Sequence, residues 1–378
     1  MVAPGGQGPW QPRGSGLLVA VVALSVVALV VHGAIALVLL HGTVRPPVTA
    51  DRPVGRPTPT VTAAKPTATP TPTSSSPSAG TPGSAAPAAA GAGALHLDHA
   101  CLVADNPPTS AHIPSGDPFG SDLSSLGSGA ELQRLYVVHG GMLEPADSAG
   151  PVRECDRQLW AIVVAATPVE VLRYVDELLV FDADLSADTA VGEVFAQPNS
   201  TEASAHWRLS LALNSSTDLD VTFNVAHEVG HLLSLNRAEM TGQDESSCQG
   251  IYMGEGCLQD GATLPTYVDD TWGDDLLDEW STANDITDDQ QRADALDAFY
   301  EKHHDRFVDS YAATHPVEDF AESFAMWCAL GPSSPLLPDF IEGDPTDGAA
   351  KLAWFDDPAH AVGMQARARC EALQAFTR

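Results

Sequence analysis

Basic residues are scarce in this sequence: 18 Lys and Arg stand against 50 Asp and Glu, which gives a formal net charge of −32 over 378 residues. Almost all of this charge lies in the C-terminal, globular part of the chain. A strongly acidic surface repels the phosphates of nucleic acids and the headgroups of anionic lipids. The composition therefore argues against a protein that binds nucleic acid or anionic membrane surfaces, and it fits a protein that is soluble outside the cell.

Charged residues are absent from positions 17–40, LLVAVVALSVVALVVHGAIALVLL. A helix over this run would be roughly 36 Å long, enough to cross a hydrocarbon core of about 30 Å. The run exceeds the roughly 7–15 apolar residues of a signal peptide, and no clear cleavage site follows it. We therefore predict a single-pass transmembrane helix at 17–40 behind a short tail at 1–16. A secreted protein that loses this segment by cleavage is the alternative.

Large apolar residues are rare from 41 to 94, where Pro, Thr, Ser, Ala and Gly dominate. Such a segment cannot bury enough apolar surface to offset its ordering entropy. We predict a disordered linker that favours extended polyproline II conformation and reaches on the order of 100 Å.

The chain has no CxxC pair, which disfavours a cysteine metal cluster. An even number of cysteines without such pairs indicates disulfides, although six buried free thiols are the alternative. The pair Cys248–Cys257 is the most local choice, and we expect Cys101–Cys155 and Cys328–Cys370 for the others. All six cysteines lie beyond the linker.

Two features of the sequence predict opposite membrane orientations. Arg45, Arg52 and Arg56 follow the apolar run and only Arg13 precedes it, which weakly favours a cytoplasmic C-terminal part. Disulfides require an oxidising compartment, and we give them more weight. The prediction is a cell-membrane protein whose C-terminal domain is extracellular.

The segment Phe223–His231, FNVAHEVGH, contains the pattern His-Glu-x-x-His. Residues four apart lie on the same face of a helix, so His227 and His231 can both direct an imidazole nitrogen at one metal ion about 2 Å away. Glu228 lies beside them, where it can take a proton from an activated water. The alternative is two ordinary helix histidines beside a solvated glutamate.

The surroundings of the motif favour a buried helix. Thr217 is a good N-cap, and Asp218 and Asp220 suit a first turn. The residues that follow are apolar on nearly every side, which predicts burial. Metal-seeking side chains inside a buried helix need a partner, and a zinc ion would satisfy them.

A third zinc ligand is expected from another segment, since catalytic zinc sites usually have three protein ligands. The metzincin extension is missing, because Ser234 and Arg237 stand where it needs Gly and His. Further along, Pro316 suits the first position of a helix, which places Glu318 in the first turn and Glu322 on the same face. Alone, Glu318 would be better explained as an acid that stabilises a helix start. A second carboxylate, Glu322, on the same face is harder to explain in that way.

HEVGH, followed downstream by Tyr311 and the run EDFAESF from Glu318 to Phe324, resembles the gluzincin peptidases of the anthrax lethal factor type and their bacterial relatives. The resemblance covers these two short segments. It implies zinc as the cofactor, a general base, a phenol that stabilises the oxyanion, and a carboxylate that orients a ligand histidine. The residues implied are His227, His231 and Glu318 as ligands, Glu228 as the base, Tyr311 as the phenol and Glu322 as the orienting carboxylate.

The rest of the globular part predicts a mixture of helices and strands. Gln158–Ala165 is a buried strand or the start of a helix, and Thr167–Glu170 opens a helix to about Phe181. Val191–Ala196 and His206–Leu213 are predicted strands. In the family that the chain resembles, an edge strand usually binds the substrate backbone, which implies His206–Leu213 as the edge strand that forms a wall of the substrate cleft. The predicted fold is α+β: a zincin-like metallopeptidase domain over 95–378, with a small mixed sheet, an active-site helix and a helical C-terminal part.

Residues 236–289 form an acidic insertion. Long segments of this kind are often lids or binding loops, and an acidic rim would favour basic substrates. A solvated acidic loop is the alternative. A calcium loop would need the ligand order and glycine of an EF-hand, which are absent from its cluster of aspartates: Asp269, Asp270, Asp274, Asp275 and Asp278.

These features together predict a membrane-anchored extracellular zinc metallopeptidase that acts on a peptide or protein substrate. The alternative is a non-catalytic cell-surface or wall-binding module with a zincin fold and a structural metal. Such a module would need neither Glu228 nor Tyr311, and both are present.

Overall fold

The structure is a computed structural model of the chain. It describes residues 95–98, 101, 112–121, 123–127, 130–146, 150–183, 191–196, 206–212, 217–243, 246–248, 252, 256–341, 343–344, 346 and 348–377. The predicted tail, transmembrane helix and linker lie outside the described residues. Within those residues, no helix combines the length and the apolarity needed to cross a bilayer.

The described part of the chain is α+β. Its strands are β1 (Glu131–His139), β2 (Met142–Pro145), β3 (Val175–Asp182), β4 (Gly192–Ala196), β5 (Trp207–Ala212), β6 (Met240–Thr241) and β7 (Cys257–Leu258). Its helices are α1 (Glu154–Ala166), α2 (Val169–Leu172), α3 (Asp218–Leu235), α4 (Thr263–Thr271), α5 (Gly273–Asn284), α6 (Asp289–His303), α7 (Pro316–Ala325), α8 (Leu337–Phe340), α9 (Ala349–Asp356) and α10 (Ala361–Phe376). A π-helical turn, Met326–Leu330, follows α7 directly.

Five strands form one mixed sheet in the order β2-β1-β3-β5-β4. Strands β3 and β5 are parallel, and the other neighbours are antiparallel. Both faces of β3 are buried: Leu178 and Val180 join the large core under the helices, and Leu179 and Phe181 join a smaller core on the opposite face. This sheet supports α3 from one side.

The predicted helix from Thr167 to about Phe181 is wrong. Only α2 is helical there, and β3 begins at Val175. Strand β3 pairs with β1 on one side and β5 on the other, and its alternate residues enter two different cores. A period of two is the geometry of a strand, so tertiary pairing overrides the capping signal at Thr167.

The assignment of an edge strand to His206–Leu213 is also wrong. Strand β5 lies inside the sheet between β3 and β4, so its backbone hydrogen bonds are used on both sides. The strand at the edge of the sheet beside α3 is β4. Its bounds, Gly192–Ala196, agree with the predicted strand Val191–Ala196 to within one residue. Of the two interpretations of Gln158–Ala165, the helix is confirmed, since these residues lie in α1.

The acidic segment 236–289 is not one long loop. After the short β6–β7 hairpin it forms α4 and α5, which are anchored in the large core by Leu264, Tyr267 and Trp280. The aspartates considered for a calcium loop lie on these two helices. Helix amphipathicity explains the difference: apolar residues at helical spacing hold one face, while the acids occupy the exposed face.

The three expected cysteine pairs are disulfides in the structure: Cys101–Cys155, Cys248–Cys257 and Cys328–Cys370. The first ties the start of the domain to α1, and the third ties the π-helical turn to α10. A buried ion pair between Arg134 and Asp156 joins β1 to α1, and the Tyr136 hydroxyl donates a hydrogen bond to the same carboxylate.

Candidate metal centre

Helix α3 begins with the capping box that its sequence predicts. The Thr217 side chain accepts a hydrogen bond from the Asp220 backbone N–H, and the Asp220 carboxylate accepts one from the Thr217 backbone. All residues of this helix from Val225 to Leu235 are buried. The helix therefore starts at a fixed position and carries His227 and His231 into the interior.

The two histidines converge as the spacing predicts. The Nε2 atoms of His227 and His231 lie 3.0 Å apart, and the two rings are nearly perpendicular at 84°. Both side chains are about nine-tenths buried, with 11 % and 9 % of their surface exposed. Two imidazole nitrogens therefore point at one common position.

Helix α7 supplies the carboxylate. His315 is its N-cap and accepts a hydrogen bond from the Val317 backbone N–H, and Pro316 occupies the first helical position as predicted. Glu318 follows in the first turn. Its Oε2 lies 3.4 Å from His227 Nε2 and 3.3 Å from His231 Nε2.

These three side chains meet the geometric demands of a metal site. Their ligand atoms all lie within 4.8 Å of one another, and no second group of this kind occurs among the described residues. Ligands at about 2.0–2.1 Å from one tetrahedral ion lie roughly 3.3 Å from each other. The observed separations of 3.0, 3.3 and 3.4 Å agree with that value. The set of two imidazoles and one carboxylate is one that zinc commonly takes.

Glu228 lies beside this group and is almost fully buried, with 4 % of its surface exposed. Its Oε2 accepts no hydrogen bond from the described residues. Burial raises the pKa of Glu228 to about 7, although the nearby histidines oppose the shift. A buried carboxylate with one unpartnered oxygen and this pKa is suited to exchange a proton with a bound water.

Glu322 contacts the other side of His227. Its Oε1 lies 3.0 Å from His227 Nδ1, one helical turn beyond Glu318 on the same face of α7. A carboxylate in this place holds the imidazole ring in orientation and directs Nε2 towards the common position.

Tyr311 lies at the border of the same site. Its ring centroid is 6.0 Å from that of His227. Burial, together with the negative charge of Glu318, raises the pKa of Tyr311 well above its ordinary value. The phenol therefore keeps its proton and remains a hydrogen-bond donor.

The charges of the site call for a cation. Burial lowers the pKa of His227, but Glu322 and Glu318 outweigh it and hold that pKa well above its usual range. Burial raises the pKa of Glu318, but His231 and His227 outweigh it and hold that pKa well below its usual range. The carboxylates of Glu228, Glu318 and Glu322 thus surround two imidazoles, and a dication bound there would balance their negative charge.

Two glycines, Gly230 and Gly192, allow the close packing of the site. A Cβ atom on Gly230 would lie 2.8 Å from the Ala321 Cα, so this glycine lets α3 and α7 approach closely. Gly192 on β4 was not identified from the sequence. A glycine within a strand pattern signals close approach of another group, and here that group is Glu228.

Comparisons with known proteins find no match for this chain among protein-family models, curated proteins or solved structures.

Proposed function

We propose that this protein is a zinc-dependent metallopeptidase of the gluzincin type. The observation that carries the proposal is the convergence of His227, His231 and Glu318 beside a buried Glu228 that has an unpartnered oxygen. A metal site that only stabilises the fold does not need a buried carboxylate with an unpartnered oxygen beside its ligands. The α+β architecture, with a mixed sheet followed by the helix that carries HEVGH, agrees with a zincin-like domain.

In this mechanism the two histidines and Glu318 hold the ion, which supplies Lewis acidity towards the scissile carbonyl and the attacking water. Glu228 accepts the proton of that water as it attacks, and then delivers it to the leaving amine. Tyr311 donates a hydrogen bond to the oxyanion of the tetrahedral adduct. Glu322 keeps the ring of His227 in place throughout.

The substrate cleft is proposed to run along β4. This strand is paired with β5 on one side only among the described residues, and its first residue abuts Glu228. An edge strand can pair with an extended peptide through its backbone, which would bring a scissile bond past the proposed general base.

The proposed location is outside the cell, with residues 17–40 as the membrane anchor. Three disulfides support this location, because such bonds persist in oxidising compartments. The proposed partner is a peptide or protein substrate, and the acidic composition disfavours nucleic acid.

Two measurements on the full chain test the proposal. We expect one zinc per wild-type chain and loss of that zinc in Glu318→Ala. We expect Glu228→Gln to keep the zinc but to lose hydrolysis of a quenched-fluorescent peptide library, because the amide cannot accept the proton. A folded wild-type chain that binds no zinc contradicts the proposal. Zinc binding without any peptide hydrolysis would favour the alternative of a non-catalytic module with a structural metal.

A further inference from the structure

The face of α7 that points away from the histidines carries a second buried carboxylate, Asp319. Its side chain is completely buried, and so is that of Lys351 on α9 apart from 3 % of its surface. The Lys351 Nζ lies 2.6 Å from Asp319 Oδ2. Burying two charges costs desolvation energy, which is offset only when the geometry is good and further hydrogen bonds are made. The other hydrogen bonds of Asp319 therefore matter.

Two more donors converge on the same oxygen. The Tyr267 hydroxyl on α4 lies 3.0 Å from Asp319 Oδ2, and the Trp272 indole N–H, just after α4, lies 2.7 Å from it. The Tyr267 hydroxyl is also 3.1 Å from the Ser323 Oγ, one turn further along α7. Asp319 is therefore held from two separate parts of the chain, residues 267–272 and α9.

These bonds add to the constraint that packing places on the rotation of α7 about its axis. Phe320 and Phe324 fill the core beside α7, and the hydrophobic contribution to this packing is not directional. Hydrogen bonds weaken steeply with misalignment, so three donors on one oxygen set that rotation. Successive residues of a helix are about 100° apart, and fixing Asp319 therefore also fixes the direction of Glu318.

We propose that Asp319 is a positioning residue: its buried contacts set the rotation of α7 and thereby aim Glu318 at the two histidines of α3. The inference rests on the proposed zinc site. It assigns Lys351 and Tyr267 a part in metal affinity although neither approaches the metal-binding atoms. A substitution among Asp319, Lys351, Tyr267 and Trp272 should therefore weaken metal binding more than a substitution in another buried ion-pair cluster of this protein.

The test is the zinc dissociation constant of the full chain, measured by competition with a chromophoric chelator. Groups that hydrogen-bond a metal ligand directly are typically worth about 10–100-fold in metal affinity. Asp319 acts one step further out, so we expect Asp319→Asn and Lys351→Met to weaken zinc binding by about tenfold, the lower end of that range. Tyr267→Phe removes one hydrogen-bond donor but keeps the ring, and we expect roughly threefold weakening, the net worth of one such bond. The visible spectrum of the cobalt(II)-loaded variants should shift, because it reports the arrangement of the ligands.

The matched control is Asp156→Asn. Asp156 is equally buried and accepts bonds from a cation and a tyrosine hydroxyl, Arg134 and Tyr136, but these partners lie on β1. The substitution removes the same charge from a similar cluster. We expect it to lower the melting temperature and to leave the zinc dissociation constant within twofold of the wild type.

The outcomes separate the two proposals. Unchanged zinc affinity in Lys351→Met and Tyr267→Phe, with zinc bound by the wild type, would overturn the positioning role and leave the zinc site intact. Equal weakening in Asp156→Asn would also overturn it, since general destabilisation would then explain the effect. Absence of zinc from the folded wild type would instead refute the proposed function. Should Asp319→Asn not fold, Tyr267→Phe decides, because it preserves every ring contact of Tyr267.

Discussion

The backbone of Gly192 and the carboxylate of Glu228 are in such close contact that no side chain fits between them. A Cβ atom on Gly192 would lie 2.6 Å from Glu228 Oε1 and 3.0 Å from its Cγ. Real Cβ contacts are not that short, so any larger residue at this position displaces the carboxylate. The edge strand and the proposed general base therefore constrain each other.

Gly192→Ala should reduce catalysis without removing the metal. The added methyl group pushes Glu228 from its place, and a misplacement of about 1 Å costs on the order of a hundredfold in rate. Gly192 has no positive φ, so alanine does not strain the backbone. The measurements are kcat/KM on a peptide that the wild type cleaves, zinc content and melting temperature. Wild-type kcat/KM in a stable, zinc-loaded variant would show that this contact has no role in catalysis.

Tyr311→Phe should slow peptide hydrolysis by about a hundredfold or more, because one oxyanion donor is typically worth that much. The effect should appear in kcat, while the zinc dissociation constant stays the same. Tyr174→Phe is a control, since its hydroxyl contacts Arg173 instead of the proposed site. A loss confined to KM would argue that Tyr311 binds substrate but does not stabilise the oxyanion.

His315 should make the folded state sensitive to acid. Burial lowers the pKa of His315 to about 4, whereas an unfolded histidine has a pKa of about 6.5. The unfolded state thus binds the proton more readily, and the free energy of unfolding falls as the pH drops from about 6.5 towards 4. His315→Asn keeps a capping acceptor at the start of α7 and does not titrate.

The acid sensitivity is measured by urea unfolding of the wild type and of His315→Asn at pH 7.5 and 4.5, in excess chelator so that metal binding does not contribute. Because the ring is partly exposed, the wild type should lose only on the order of 1 kcal/mol more than the variant between these pH values. An equal loss in both proteins would rule out His315 as the source.

The disulfides should differ in their contribution to stability. Cys101 and Cys155 are 54 residues apart, and Cys248 and Cys257 are 9 apart. In the chain-entropy model, closing the longer loop contributes roughly 4 kcal/mol and closing the shorter one roughly 2.5 kcal/mol. Alanine at both members of each pair, followed by urea unfolding, measures the difference. A larger loss from opening the shorter loop would contradict this ranking.

Local sequence signals predicted those features of the site that are set within a single helix. Thr217 caps α3, Pro316 starts α7, and the spacing within each helix aligns the side chains that face each other. These features follow from hydrogen bonding and helix geometry over a few residues. The meeting of Glu318 with His227 was expected only by resemblance, because nothing local specifies which helices pack together.

The strand order of the sheet and the contacts that hold α7 in place could not be predicted from local sequence signals. Whether β4 or β5 lies at the edge depends on strand order, which is decided by pairing between distant segments. The same holds for Lys351 and Asp319, which are 32 positions apart and meet only after α4 and α9 have packed. A buried lysine has no periodicity or motif that marks it in advance.

The order of the chain has a consequence for biogenesis. His231 precedes Glu318 by 87 positions (318 − 231), and the Lys351 that holds α7 comes later still. A polypeptide is synthesised from its N-terminus, so a nascent chain that ends within α6 already has HEVGH but lacks the third ligand and its support. Completion of the proposed zinc site thus waits until α7 and α9 have been synthesised, and on the proposed function a chain that ends before α7 would lack peptidase activity.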